Sequence, residues 1–240
     1  MTKLFSEIKN SLFETNVILS LEVDIQADDF QLNGTILKKK HNKIEVVQTF
    51  TDLDFEEWKT LPIVLTISGK GVLQKRSDVS VEKVKLRNVF PAIKDEEFYS
   101  VLSPLATGSY VSIIRRETIS LILDNLNIKK DQVIDISLEA FVATRFSEID
   151  MNLPKTLGGW DIIYQENEVQ EMNKAETSKL NVILGENISS NFHLAYLSGV
   201  AFFFNLKISG NEEWDFIKQE WKSKKVFQTT LIGLLSFLLV

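Results

Sequence analysis

The chain has 240 residues, a formal net charge of −6 and no cysteine. Its length allows one domain of two lobes or two small domains. The missing cysteines exclude disulfides and thiolate chemistry. The 27 lysines and arginines are mostly scattered, so a nucleic-acid partner is not expected, because phosphate binding needs a focused basic surface. The first 13 residues have mixed charge and lack the apolar core of a secretory signal.

Residues 16–50 predict three consecutive antiparallel strands. In the first of them, Leu19, Leu21 and Val23 alternate with polar residues, which is the period of a strand with one buried face. Residues 54–59 predict a short helix. The next segment, 63–67, is entirely apolar, and such a run is typical of an internal strand that is buried on both faces.

The middle of the chain predicts alternating strands and helices. Residues 95–99 are expected to form a connection between elements. The clearest predicted helix, at 115–127, has an apolar stripe at the spacing of one helical face. Proline and serine mark further helix ends. The predicted strands cover 72–76, 110–114 and 133–136, and the predicted helices cover 81–90, 115–127 and 138–146.

A second group of elements begins near residue 150. It comprises a strand at 160–164, a polar hairpin at 166–174, a strand at 180–184, an apolar helix at 192–206 and a helix at 212–225. The last helix carries Trp214 and Trp221, whose rings are expected either at a lipid headgroup layer or packed on the protein itself. The complete succession predicts an α/β protein with mixed sheets.

The C-terminal residues suggest a membrane anchor. A basic cluster at 222–225 precedes fifteen uncharged residues, 226–240. A transmembrane helix needs about 20 apolar residues, so this run is interpreted as the start of one, with the lysines keeping the preceding side cytoplasmic. A buried C-terminal helix or strand of a soluble protein is the alternative. The anchor is predicted to comprise Leu231, Ile232, Leu234, Leu235, Phe237, Leu238, Leu239 and Val240.

Two loops contain residues of the kinds found in binding motifs. Residues 68–71, Ser-Gly-Lys-Gly, follow a buried strand but lack the glycine spacing of a Walker loop, so a tight turn between strands is predicted. The acidic turn at 24–29 lacks the glycine and the regular ligand alternation of a calcium loop. It is interpreted as a solvated turn rather than a metal site.

The remaining titratable residues do not form a catalytic pattern. His41 is expected in a solvated turn and His193 at a helix start, with neither metal-ligand spacing nor a nucleophile partner. Asp135, Glu139 and Glu148 are interpreted as strand-end and helix charges without an acid–base counterpart. No catalytic residue, cofactor or metal site is therefore predicted, and the chain is not expected to be an enzyme.

Three segments of the chain resemble the actin-like cytoplasmic proteins of type IV pilus and type II secretion inner-membrane platforms, the PilM and GspL type. These segments are residues 64–76, 110–119 and 133–141. The resemblance covers roughly residues 17–206 in order. It implies an actin-like (ribonuclease H-like) two-lobed domain with mixed sheets. The implied divisions are a first lobe at 1–148, a smaller lobe at 149–209, a juxtamembrane helix at 210–225 and the start of a transmembrane helix at 226–240.

The chain departs from the nucleotide-binding members at the phosphate turns. Those members place an Asp-x-Gly turn after the first strand, whereas here Asp24 is followed by Gln26 in place of the glycine. Those members have a second Asp-x-Gly phosphate turn, which the glycine pair at 158–159 lacks. They also have several glycines on the adenosine side of the nucleotide, of which Gly185 alone remains here. The resemblance therefore implies the GspL type, which is similar to an actin-like ATPase without acting as one.

This comparison implies a non-catalytic cytoplasmic scaffold of an inner-membrane secretion or pilus assembly platform. The expected partners are the cytoplasmic assembly ATPase, neighbouring platform subunits and membrane lipid at the C-terminus, with residues 1–225 in the cytoplasm and a homodimer left open. One alternative is an ATP-binding protein of the PilM type. The other is an unrelated membrane-tethered interaction module.

Overall fold

The computed structural model describes residues 17–27, 29–41, 43–51, 60–146, 155–165, 168–174, 182–183, 186–206, 214, 216–221, 223–224, 227 and 230. The predicted short helix at 54–59 lies outside the described residues. So do the predicted membrane-anchoring residues at 231–240.

A five-stranded mixed sheet forms the centre of the fold, with the strand order β3-β2-β1-β4-β8. The first three strands pair antiparallel, whereas β4 pairs parallel to β1, and β8 pairs parallel to β4. The meander and the internal position of β4 confirm the sequence predictions, and the sheet is of the mixed kind expected for an actin-like lobe. Its strands are β1 (Val17–Ile25), β2 (Phe30–Lys40), β3 (Lys43–Phe50), β4 (Ile63–Gly69) and β8 (Val133–Leu138).

Both faces of the large sheet are buried, so the prediction of one buried face for β1 is wrong. On one face Ser20 and Glu22 are buried although they are polar. Helix α3 (His193–Phe203) packs on this face, and Ser20 donates a hydrogen bond to the Ala195 carbonyl at 2.5 Å. The α3 sequence is apolar around its whole circumference, which is typical of a buried helix.

The opposite face of the sheet is covered by helix α2 (Arg116–Asn125). Its buried residues are Ile119, Ile122 and Leu123, which confirms the predicted apolar stripe. The C-terminal helical residues also reach this face. Trp214 is 3% exposed, joins the same apolar cluster and meets the Tyr99 ring edge-on at 6.5 Å between centroids.

A second, antiparallel sheet with the order β5-β7-β6 is inserted between β4 and β8. Strand β6 occupies the end of the segment that was predicted as a connection. The prediction failed because Phe98, Tyr99 and Val101 bury their side chains within an otherwise polar stretch. The strands are β5 (Leu73–Ser77), β6 (Phe98–Pro104) and β7 (Ser109–Arg115).

Two predicted helices are shorter or of another type. In place of the helix at 81–90, the chain forms a 3-10 helix (Val81–Lys83) and the four-residue helix α1 (Leu86–Val89). In place of the helix at 138–146, β8 extends to Leu138, which pairs with Ile67 of β4, and a 3-10 helix (Glu139–Phe146) follows. The pairing with β4 delays the start of this helix by one residue.

The remaining strands form a three-stranded sheet, β11-β10-β9, and a short hairpin. One apolar cluster contains Ile18 and Val64 from the large sheet together with Trp160 and Ile162 from the small one. The division into lobes at 1–148 and 149–209 stays a prediction. The strands are β9 (Thr156–Leu157), β10 (Trp160–Gln165), β11 (Glu168–Lys174), β12 (Val182–Ile183) and β13 (Glu186–Asn187).

The C-terminal helical residues, Trp214 and 216–221, pack on the protein itself. Trp221 lies 5.6 Å from the Phe202 ring of α3, and Lys218 is buried beside Asp135 of β8 at 3.7 Å. Of the two positions expected for the tryptophans, the structure shows the packed one. No helix within the described residues is long and apolar enough to cross a bilayer.

Candidate functional site

A cleft of about 330 Å³ lies at one edge of the large sheet. Strands β1, β4 and β8 run parallel, and residues at or just beyond their carboxyl ends line the cleft. This edge is where ligands bind in open α/β sheets. Three carboxylates contribute to the lining: Glu22 and Asp24 from β1, and Glu139 from the residue after β8.

Glu22 is the most deeply buried carboxylate of β1. Its Oε1 accepts a hydrogen bond from Ser68 Oγ at 3.2 Å, and its Oε2 lies 3.4 Å from Asn33 Nδ2. Burial raises the pKa of Glu22 from its ordinary value of 4.5 to about 7. The hydrogen bond from Ser68 opposes this rise in pKa, and the neighbouring charge of Asp24 adds to it. Glu22 therefore changes charge near neutral pH.

We expect Glu22→Gln to change how the free energy of unfolding depends on pH. Because the folded state raises the pKa, protonated Glu22 favours folding below pH 4.5, and this contribution is lost as pH rises towards 7. The amide cannot ionise. Relative to wild type, the variant should therefore gain roughly 2–3 kcal/mol between pH 5 and pH 8, as measured by urea unfolding.

Glu117→Gln provides the matched control, since Glu117 is an exposed carboxylate on α2. Its difference from wild type should stay constant within about 0.5 kcal/mol over the same pH range. A Glu22→Gln difference that is equally constant would contradict the assignment of Glu22 as a group that ionises in the folded cleft near pH 7.

Glu139 lines the cleft and connects three strands, because residues of β4, β5 and β10 donate hydrogen bonds to it. Its Oε1 accepts hydrogen bonds from the Gly69 amide at 3.1 Å and from Gln74 Nε2 at 3.0 Å, and its Oε2 accepts one from Trp160 Nε1 at 3.0 Å. Its φ is +55°, a left-handed conformation that non-glycine residues rarely adopt. The interpretation as an ordinary helix charge is therefore wrong, because Glu139 is a buried acceptor.

The turn between β4 and β5 is the tight strand-to-strand turn that was predicted. Gly69 and Gly71 have φ values of +87° and +92°. The Lys70 amide donates to the Ile25 carbonyl at 2.8 Å, and the Gly69 amide is already engaged by Glu139. A β-carbon on Gly69 would lie 2.3 Å from Asp24 Oδ1. The turn thus packs directly against the end of β1.

The acidic turn after β1 is only partly the solvated turn that was expected. Asp29 is exposed, but Asp24 is half-buried and faces the cleft. Gln26, in the place of the family's glycine, donates a hydrogen bond from Nε2 to Asp24 Oδ2. In the described part of the chain, no group of three or more histidine, cysteine, aspartate or glutamate side chains is arranged to hold a metal ion.

The glycine pair that was expected at the second phosphate turn also borders the cleft. Gly158 and Gly159 have φ values of +52° and +74° and form the turn between β9 and β10. A β-carbon on Gly158 would lie 2.3 Å from Leu194 Cδ1 of α3. The structure therefore brings both expected phosphate turns to one cleft, although neither has the Asp-x-Gly sequence.

The other residues singled out in the sequence lie elsewhere. His41 is exposed in the β2–β3 turn, as predicted, and His193 begins α3. The His193 ring is buried with Nε2 3.2 Å from the Ile188 carbonyl, and burial lowers its pKa. Asp135, interpreted as a strand-end charge, is instead buried in an ion pair with Arg145 at 3.0 Å.

Sequence reasoning missed Glu22, Asn33 and Ser68 as cleft residues. The available signal was position: Glu22 is one of the polar residues that alternate along β1 towards its carboxyl end, and Ser68 follows the apolar run of β4. Asn33 lies directly opposite Glu22 in the β1–β2 pairing. Polar residues at the carboxyl ends of neighbouring parallel strands meet at one edge.

No family model and no curated protein matches the chain. Among solved structures it is similar to the cytoplasmic domain of EpsL, an inner membrane component of the type II secretion system of Vibrio cholerae. The identity is 14%, the match covers 66% of this chain and 70% of that one, and the TM-score is 0.38.

A second similar structure is a Bacteroides thetaiotaomicron protein with an actin-like ATPase fold and unknown function. The identity is 10%, the match covers 81% of this chain and 80% of that one, and the TM-score is 0.40. With TM-scores below 0.5, these two likenesses add nothing about the chemistry of the cleft.

Proposed function

We propose that this chain is a non-catalytic docking domain of an inner-membrane secretion or pilus assembly platform. It folds in the actin-like manner and works without binding a nucleotide. In this role it binds the cytoplasmic assembly ATPase and neighbouring platform subunits, and its C-terminal residues attach to membrane lipid. The observation that carries the proposal is the placement of three carboxylates in the cleft between the two expected phosphate turns.

Charge in the cleft opposes a triphosphate. A phosphate there would approach Glu22, Asp24 and Glu139, and two like charges 4 Å apart repel by about 4 kcal/mol at an effective dielectric constant of 20. Lys174 also lines the cleft, but its Nζ lies over the Trp160 ring at 4.3 Å from the centroid. One lysine does not offset Asp24, Glu139, a Glu22 that is partly ionised near neutral pH, and several phosphate charges.

The backbone N–H groups of the turn after β4 already donate hydrogen bonds within the protein. Phosphate sites at strand ends depend on free N–H groups that point at the ligand. The Gly69 amide donates to the Glu139 side chain, and the Lys70 amide donates to the Ile25 carbonyl. This turn therefore supplies two fewer free donors to an incoming phosphate.

The platform role itself is supported by the resemblance of residues 64–76, 110–119 and 133–141 to the PilM and GspL type, and by the mixed sheet to which the first and last of these segments contribute β4 and β8. Such a domain has to present a stable surface to its partners. A fold that needs no bound nucleotide provides that surface at any nucleotide concentration.

The proposal predicts that millimolar Mg-ATP leaves the thermal unfolding midpoint unchanged. A ligand that binds only the folded state at 100 times its Kd adds about 2.7 kcal/mol of stability, which a thermal-shift titration would detect. MgCl2 alone serves as the control for ionic effects. A saturable rise of the midpoint with Mg-ATP would support the ATP-binding alternative.

The docking part is tested by mixing the purified chain with the assembly ATPase of the same cell and measuring co-elution in size-exclusion chromatography. Co-elution without added nucleotide is the expected result. Separate elution together with no response to Mg-ATP would favour the unrelated interaction module.

A further inference from the structure

Four lysines lie close together at the end of the β2–β3 hairpin. The segment 38–43 contains no acidic residue, although the chain as a whole has a net charge of −6. Lys38 pairs with Val17 at the start of β1, so these lysines lie at the opposite edge of the large sheet from the acidic cleft. The lysine cluster comprises Lys38, Lys39, Lys40 and Lys43.

The positive charge of the lysine cluster is mostly not neutralised within the described part of the protein. Lys40 and Lys43 are paired directly across the hairpin, and like charges in this position destabilise a sheet. Among the described residues, Glu45 pairs with Lys40 at 3.0 Å, and Lys38 and Lys43 form no ion pair. Lysines on edge strands prevent unwanted strand pairing, but three of these lysines belong to β2, which is an internal strand.

An exposed aromatic ring lies beside the lysine cluster. Phe204 directly follows α3 and is 42% exposed. Lys39 Nζ donates a hydrogen bond to the Phe203 carbonyl at 3.0 Å and lies 5.9 Å from the centre of the Phe204 ring. Lysines beside an exposed aromatic side chain suit a membrane–water interface, where the ring enters the headgroup layer and the lysines remain near the phosphates.

The same end of α3 also contacts the C-terminal helical residues. The Trp221 ring lies 5.6 Å from the ring of Phe202, which precedes Phe204 by two residues. The basic segment 222–225 follows Trp221 directly in the sequence. The chain therefore enters its second basic segment next to the end of α3 at which the lysine cluster lies.

We propose that the lysine cluster and Phe204 bind the headgroups of anionic phospholipids at a membrane surface. This inference goes beyond the proposed function, in which the contact with lipid is confined to the C-terminal residues. The lysines supply the attraction to the lipid phosphates. The acidic cleft, at the opposite edge of the sheet, then faces away from the negatively charged bilayer, which is the favourable orientation for an acidic protein.

The test is co-sedimentation of the 240-residue chain with vesicles of phosphatidylcholine, alone or with one-third phosphatidylglycerol. The double variant Lys38→Gln with Lys43→Gln is expected to bind the anionic vesicles at least tenfold more weakly, because each lysine near such a surface contributes roughly a factor of five. The matched control, Lys83→Gln with Lys85→Gln, removes two exposed lysines elsewhere on the protein. It should change binding by less than about threefold.

Binding to the neutral vesicles measures the proposed C-terminal attachment separately, and the Lys38 and Lys43 substitutions should leave it unchanged. A lysine-dependent response to anionic vesicles without any binding to neutral ones would contradict the C-terminal attachment and support the lysine cluster as the lipid site. Equal weakening by the two double variants, or no preference for anionic vesicles, would overturn the inference.

A fluorescent label at the hairpin turn tests the contact directly. The chain has no cysteine, so His41→Cys, at an exposed turn residue, can be labelled at one position with an environment-sensitive dye. Anionic vesicles are expected to shift its emission to shorter wavelength, whereas the same dye in Glu117→Cys on α2 should not respond. Lysine-dependent binding of polyuridylate RNA or polyglutamate that is tighter than binding of the anionic vesicles would identify another class of partner and overturn the proposal.

Discussion

Replacing Arg145 with methionine is expected to lower the free energy of unfolding by about 3–5 kcal/mol, the cost of breaking a buried ion pair by removing one partner. The guanidinium donates to Asp135 Oδ2 at 3.0 Å and to the Leu206 carbonyl from Nε at 3.1 Å, and both charged side chains are 4% exposed. Without Arg145, the Asp135 carboxylate keeps Lys218, at 3.7 Å, as its one cationic partner among the described residues. Urea unfolding with an unchanged m-value would measure the loss.

Arg87→Met is the matched control. Arg87 also faces a carboxylate, Asp95 at 3.7 Å, but its side chain is 71% exposed, and exposed pairs contribute about 0–1 kcal/mol. The double variant Asp135→Asn with Arg145→Met should lose less than the sum of its single variants, because both disrupt the same pair. A loss below about 1 kcal/mol for Arg145→Met would contradict the buried network.

Gly69→Ala is expected to lower the free energy of unfolding by more than about 3 kcal/mol, through backbone strain and steric overlap together. Its φ of +87° is unfavourable for any residue with a β-carbon. The added carbon would also lie 2.4 Å from the Ile25 carbonyl oxygen, a backbone atom that cannot rotate away. Relieving this steric overlap would require β4 to separate from the end of β1.

Gly71→Ala separates the two contributions. Gly71 has a similar φ of +92°, but nothing lies within 4 Å of the position of its β-carbon. Its substitution should therefore show the backbone strain alone, about 1–2 kcal/mol. Chemical denaturation of both variants gives the comparison. Equal losses for the two would show that the contact between Gly69 and the end of β1 does not constrain the turn.

The spacing of apolar residues within single elements was sufficient to predict much of the fold. The alternation in residues 16–50 predicted the meander, the apolar run at 63–67 predicted an internal strand, and the stripe on α2 predicted its buried face. In each case the information lies within one element, because side-chain direction has a fixed period in strands and helices.

The predictions failed where distant residues decide the conformation. Strand β6 forms because Tyr99 and Val101 pack on the large sheet's core cluster, and Leu138 stays in β8 because it pairs with Ile67, 71 positions away in the chain. The composition of these segments alone does not show such partners.

The sequence positions of Glu22 and Ser68 hinted at the cleft, but its complete lining was not predictable, for the same reason. Glu22 and Glu139 are far apart in the chain and meet only through the order of β1, β4 and β8 in the sheet. The sequence did show that the family's phosphate-turn glycines are missing. It did not show that a buried carboxylate with an unsatisfied amide beside it lies between the two turns.

The packing of the C-terminal helical residues has a mechanical consequence. Trp214 is inserted in the apolar cluster of the large sheet, and Lys218 reaches Asp135 in β8. Tension applied to the chain after residue 221 would therefore load β8, a buried parallel strand at the end of the sheet order, rather than a surface loop. Displacing this helix would require extracting an aromatic ring and separating opposite charges. A pull at this end therefore acts on the same sheet whose central strand, β1, carries Glu22 and Asp24.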